Sequence, residues 1–112
     1  PYCASIITAP AVNAGCIRQN EPQKVSEIKS VMVSRAEKVL ALAVAQGVEN
    51  LVLGAWGCGV FANDPEEVAE IFAGFLRAGA PYARAFSQVA FSIPSGGSSM
   101  ANWKAFANMA WG

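Results

Sequence analysis

The pattern that most limits the folds open to this chain is an alternation of two kinds of apolar segment. Three short runs, Tyr2–Thr8 (YCASIIT), Asn50–Ala55 (NLVLGA) and Phe86–Ile93 (FSQVAFSI), are β-branched, aromatic or continuously apolar in the manner of strands. Between and after them, apolar residues recur at three- and four-residue steps. Val25, Ile28, Met32, Ala36, Val39 and Ala43 form one such helical face, and Val68, Ile71, Phe72, Phe75 and Leu76 a second. Met100, Trp103, Phe106, Ala107 and Ala110 form a third, with Trp111 beyond them, so that Trp103, Phe106 and Trp111 read as core. A helix between successive strands forces parallel pairing through right-handed crossovers. The expected fold is α/β, in β-α-β-α-β-α order, as a single domain over residues 1–112.

The punctuation fits this division: APAVNAG, residues 9–15, reads as a loop that stops the first run. Asn20, Pro22 and Gln23 spell a capping box at the start of the first helical segment, and Gly47 suits its left-handed end. Asp64, Pro65 and Glu67 spell a second box, with Gly79 and Pro81 closing that helix. A sheet of three strands has two faces and two edges, more than three helices can cover. Apolar residues are 54% of the chain and charged ones 14%, so exposed hydrocarbon is expected, to be covered by a missing segment or by a second copy.

Charge excludes some partners. Eight basic and eight acidic residues cancel, and Lys24, Lys29, Arg35 and Lys38 are interleaved with Glu27 and Glu37 on one helical segment. That is a solvated face, not a nucleic-acid patch, and Arg35 reads as a surface or packing residue tied to a carbonyl. No run reaches the ~20 apolar residues of a membrane span. Histidine is absent, and Cys3, Cys16 and Cys58 share no CxxC spacing, so neither a metal site nor a cofactor is expected. Free thiols point to a cytoplasmic setting. The chain opens on Pro1 with no leader-like pattern, and so reads as cut from something longer.

The stretch after the second apolar run carries the chemistry. Gly54, Gly57 and Gly59 fall within six residues, beyond the carboxyl end of a strand, where ligands of open α/β sheets bind. Glycines let backbone amides bend into a nest that holds an anion without a cationic side chain; the competing reading is a tight turn that only packs. A Walker A loop is ruled out, since Val60 and Phe61 stand where lysine and Ser/Thr are needed. Gly57-Cys58-Gly59-Val60-Phe61-Ala62 does satisfy G-x-G-x-x-A. In a dinucleotide fold, however, the helix starts inside that motif to meet the pyrophosphate. Here it starts at Asp64, and Asp64, Glu66 and Glu67 already occupy the positive helix end.

These residues also carry a family likeness. ITAPAVNAG, RAEKVLALA, LVLGAWGCGVFANDPEEVA and NWKAF together resemble the C-terminal part of the microbial-type poly(ADP-ribose) glycohydrolases, whose fold is macrodomain-like. The resemblance implies three layers around a mostly parallel sheet, of which this chain would hold a part. It also implies ADP-ribose or poly(ADP-ribose) as ligand, with the diphosphate cradled by Gly57, Cys58, Gly59, Val60 and Phe61. Asn13 matches a family position and becomes a loop-shaping or pocket-rim residue; Trp56 is a second rim candidate, weighed against plain packing. Cys58, with no basic neighbour in sequence, reads as a packed side chain.

The family's catalytic signature, a triple glycine followed by Gln-Glu-Glu, is not found in these residues. Cleaving a ribose–ribose bond needs a carboxylic acid to protonate the leaving oxygen. Glu66-Glu67 is the only adjacent acidic pair and is claimed by helix capping. The expectation is therefore a diphosphate-binding portion without catalytic residues of its own; the alternative is a stand-alone α/β module that oligomerises through its bare sheet.

Overall fold

The computed structural model describes residues 4–111, and its regular elements follow the expected class. In order they are α1 (Ala14–Asn20), a 3-10 segment (Pro22–Glu27), α2 (Ile28–Ala45), β1 (Asn50–Leu53), α3 (Pro65–Leu76), β2 (Gln88–Phe91), a 3-10 turn (Gly97–Ser99) and α4 (Met100–Ala107). β1 and β2 pair in parallel, from Asn50 opposite Gln88 to Leu53 opposite Phe91. The pairing continues past both ends, with Ser87 N–H donating to Glu49 O at 2.8 Å and Ser92 N–H to Leu53 O at 2.7 Å.

Alternation along the strands decides which face is covered. Leu51 and Leu53 of β1, with Val89 and Phe91 of β2, belong to the core or pack against it. The Phe91 ring lies 5.9 Å from Phe72 of α3, 5.1 Å from Phe106 of α4 and 4.7 Å from Trp111. α3 packs against α2 on one side and α4 on the other. Val52, on the opposite face, is 67% exposed. Of the three layers expected, these residues supply the sheet and one helical layer.

The parallel β-α-β unit matches the sequence reading; several local assignments do not. Of the expected first strand, Tyr2 and Cys3 lie outside the described residues, and Ala4–Thr8 forms no strand. A strand needs a partner's ladder to persist, and the sheet of the described residues contains β1 and β2 alone. Ile6 accordingly stands 88% exposed. Secondly, APAVNAG is not all loop, because Asn13 Oδ1 accepts from Cys16 N–H at 3.0 Å and caps α1. Thirdly, Asn20 caps nothing: its Nδ2 donates to Cys16 Sγ at 3.2 Å, and Pro22–Glu27 coils as a 3-10 segment with Val25 exposed.

Other ends behave as their residues require. Gly47 has φ +73, and the amides of Gly47 and Val48 donate to Val44 O and Ala43 O, the paired bonds of a Schellman end. Asp64 caps α3 by accepting from Glu66 N–H at 3.0 Å, although Glu67 makes no reciprocal bond. α4 is shorter than its apolar period and buries Ala105 and Phe106, while Trp103 stays exposed, contrary to its assignment to the core. Trp111 folds back beyond the helix end, its indole N–H donating to Phe106 O at 2.9 Å. Lys24 pairs with Glu21 at 2.9 Å and Arg35 Nη1 donates to Pro10 O at 3.2 Å, so both cations have local partners.

Phe72 sits where α3 meets the sheet and is 1% exposed. Phe72→Ala should lower the unfolding free energy by about 3–5 kcal/mol, the range for emptying a buried aromatic site. Urea denaturation followed by tryptophan fluorescence measures it.

Candidate functional site

The loop from Gly54 to Asn63 leaves the carboxyl end of β1 and delivers the chain to the Asp64 cap of α3. Its glycines have different duties. Gly57 has φ +74, and a Cβ there would stand 2.5 Å from Ala11 Cβ and 2.7 Å from Asn63 Nδ2. Only glycine fits, because of packing from within the protein. At Gly59 φ is not in the left-handed region and a Cβ would meet nothing within 4 Å. Gly59 faces open space.

The amides divide just as sharply. Cys58 N–H donates to Ala55 O at 3.1 Å, Ala62 N–H to Gly59 O at 2.9 Å and Asn63 N–H to Gly57 O at 3.0 Å. Between these, the N–H groups of Gly59, Val60 and Phe61 donate to no acceptor among the described residues. The N–H groups of Gly54, Ala55, Trp56 and Gly57 likewise have no acceptor among the described residues, but of the two free runs only Gly59, Val60 and Phe61 lie wholly on exposed residues. Val60 is 96% and Phe61 36% exposed, which puts the free run at the surface.

What holds the loop is a residue to which the sequence reading gave no role. Asn63 is 5% exposed, the only buried polar residue of those described. Its Nδ2 donates to Val12 O at 2.7 Å and to Gly57 O at 2.9 Å, joining the segment before α1 to the middle of the loop. α1 adds two more ties, Gly15 N–H to Phe61 O at 2.9 Å and Arg18 Nη2 to Ala62 O at 2.9 Å. The available signal was the pair Asn63-Asp64: a helix needs one cap, so the second capping-type side chain had another use. Arg18 and Gly15 gave no signal, because their partners lie more than forty residues away.

The remaining site candidates fall into place around this frame. Asn13 shapes the loop at one remove, by capping the helix that grips it. Trp56 is half-buried, its indole N–H donating to Ala9 O at 2.9 Å and its ring 6.1 Å from Phe72; it also lines a cavity of about 290 Å³ with Leu53 and Gly54. Cys58 contributes neither a free amide nor a reactive thiol. Burial, helped by the Asp64 carboxylate, pushes the thiol up to about 11. Glu66 and Glu67 occupy the first turn of α3. Among the described residues no cluster of His, Cys, Asp and Glu could hold a metal ion, and no helix is long and apolar enough to cross a membrane.

Two measurements follow from this geometry. Gly57→Ala should destabilise the protein by at least about 1–2 kcal/mol, from the left-handed backbone alone, with the contact at Ala11 added. Urea denaturation against wild type reports it. Iodoacetamide at pH 8 should alkylate exposed Cys16 well before half-buried Cys58, as peptide mass spectrometry would resolve. The Cys58 thiol favours the fold while neutral. Its contribution is complete below the ordinary thiol range near pH ~8.5 and fades as pH rises toward the shifted value, because the unfolded chain ionises first.

Poly(ADP-ribose) glycohydrolase from Deinococcus radiodurans, in complex with ADP-ribose, matches 90% of the chain at 40% identity with a TM-score of 0.83. The same enzyme in apo form gives 0.82. Poly(ADP-ribose) glycohydrolase from Thermomonospora curvata matches 88% of the chain at 47% identity with a TM-score of 0.78. The chain spans 40% of the length of the Deinococcus protein and 35% of the Thermomonospora one. Neither the protein-family models nor the curated proteins gave a match. Over nearly all its length, this chain is similar in sequence and fold to the bacterial poly(ADP-ribose) glycohydrolases and corresponds to part of their fold.

Proposed function

We propose that the chain is an ADP-ribose-binding portion of a poly(ADP-ribose) glycohydrolase-like protein, with the diphosphate seated on the loop Gly57–Phe61. The observation that carries this is the run of three unspent amides at Gly59, Val60 and Phe61. Each N–H can donate to a phosphate oxygen, and a nest of such donors holds an anion with no cationic side chain. Phe61, partly exposed beside them, offers a ring edge or face to the attached nucleoside. Gly59 leaves space for the ligand to approach the main chain. The relative from Deinococcus is solved with ADP-ribose bound, which supports the choice of ligand.

On this reading the residues present bind and do not cleave. Glycosidic cleavage needs a positioned carboxylic acid, and the adjacent pair Glu66-Glu67 sits in the first turn of α3, where it complements the helix dipole. A second reading, self-association through the bare sheet face, is favoured by the exposure of Val52 and Ile6.

Calorimetric titration of the chain with ADP-ribose tests the first reading. A dissociation constant on the order of micromolar is expected, together with no release of ADP-ribose from poly(ADP-ribose). Gly59→Glu, placed in open space so that the fold survives, should abolish the heat. Absence of heat from the wild type overturns the reading, and binding of NAD as tight as ADP-ribose redirects it to a dinucleotide site. A stable dimer in light scattering with no ADP-ribose heat favours self-association.

A further inference from the structure

The free amides are useful to a ligand only if the backbone carrying them is held still, and the chain just beyond them is in a conformation that works against this. Ala62 has φ +56, the only non-glycine residue with a positive φ among those described. An L-residue with a Cβ is disfavoured there, so the peptide after Phe61 relaxes unless neighbouring groups fix it. Two groups of α1 do so. Gly15 N–H holds the Phe61 carbonyl at 2.9 Å, and the Arg18 guanidinium holds the Ala62 carbonyl through Nη2, also at 2.9 Å. Asn13, capping the same helix, fixes the base from which both reach.

Arg18 makes no ion pair among the described residues, but it lines a surface cavity together with Asp64 and Glu67, so its charge is shared with those carboxylates and its contribution to the loop is the bond to the Ala62 carbonyl.

We propose that Arg18 is the positioning residue of the glycine loop: by gripping the Ala62 carbonyl it holds the strained end of the loop and keeps the amides of Gly59, Val60 and Phe61 in place. The proposal rests on the diphosphate reading for its ligand, but its mechanical part stands apart from it. Since a single donor of Arg18 reaches Ala62, lysine can replace it in kind, whereas methionine keeps the stem and removes both bond and charge.

The test is Arg18→Met and Arg18→Lys, each read in two ways. In 15N relaxation of the unliganded protein, Arg18→Met should lower the order parameters of the Gly59, Val60 and Phe61 amides from about 0.85 toward about 0.6, with core amides unchanged. Arg18→Lys should restore most of the loss. In titration with ADP-ribose, Arg18→Met should weaken binding about tenfold, equivalent to one hydrogen bond to a charged group. Arg18→Lys should bind close to wild type. Loop order unchanged in Arg18→Met, or no recovery in Arg18→Lys, overturns the proposal. If the wild type does not bind ADP-ribose yet Arg18→Met loosens the loop and Arg18→Lys restores it, the clamp holds and only the nucleotide reading falls.

Discussion

One buried amide makes the rest of the site possible. Asn63 Nδ2 reaches the carbonyls of Val12 and Gly57, and so ties the segment before α1, the middle of the glycine loop and the start of α3 to a single point. Leaving either carbonyl without its donor in a buried place costs about 1–3 kcal/mol, which makes this contact hard to give up. Gly57 is the counterpart of that contact. Any side chain there collides with Ala11 and with Asn63 itself. The loop shape is thus imposed from inside the protein, and the exposed amides are what remains after the inner bonds are made.

This division explains the spacing of the glycines. Gly57 is required by packing, whereas nothing within the protein limits Gly59, which on the proposed reading leaves room for the diphosphate. The exposed amides between bonded Cys58 and bonded Ala62 have no acceptor among the described residues, as is also true of the less exposed run nearer the strand. The parallel β1–β2 pair positions the result, placing the loop at the carboxyl edge of the sheet, where α/β folds commonly bind their ligands.

Sequence reasoning reached the parts of this that are local. β1, β2, α3 and the end of α2 were legible because their signals are short-range: continuous apolar runs, an Asp64-Pro65 helix start, a Gly47 helix end. The loop after β1 was legible because its three glycines are visible in sequence, and its part as a binding site belongs to the proposed reading. The failures have one physical origin. Ala4–Thr8 has strand composition, but composition cannot provide a neighbouring strand. Asn20 has capping chemistry, but Cys16 one turn earlier in α1 takes its amide. Asn63, Gly15 and Arg18 act through partners distant in sequence, and such contacts leave no periodic trace. Trp103 lies on an apolar stripe whose helix ends too early to bury it.

The kinship with the bacterial poly(ADP-ribose) glycohydrolases and the local geometry point to one central claim, that main-chain donors at the carboxyl edge of the sheet hold a pyrophosphate. The most direct measurement is a 1H–15N correlation spectrum of the 15N-labelled chain during addition of ADP-ribose. The account predicts that the amide protons of Gly59, Val60 and Phe61 move downfield as they bond to phosphate oxygens, while those of Cys58, Ala62 and Asn63, already bonded within the protein, move little. Saturable shifts confined to other residues, or none at all at millimolar ligand, would contradict it.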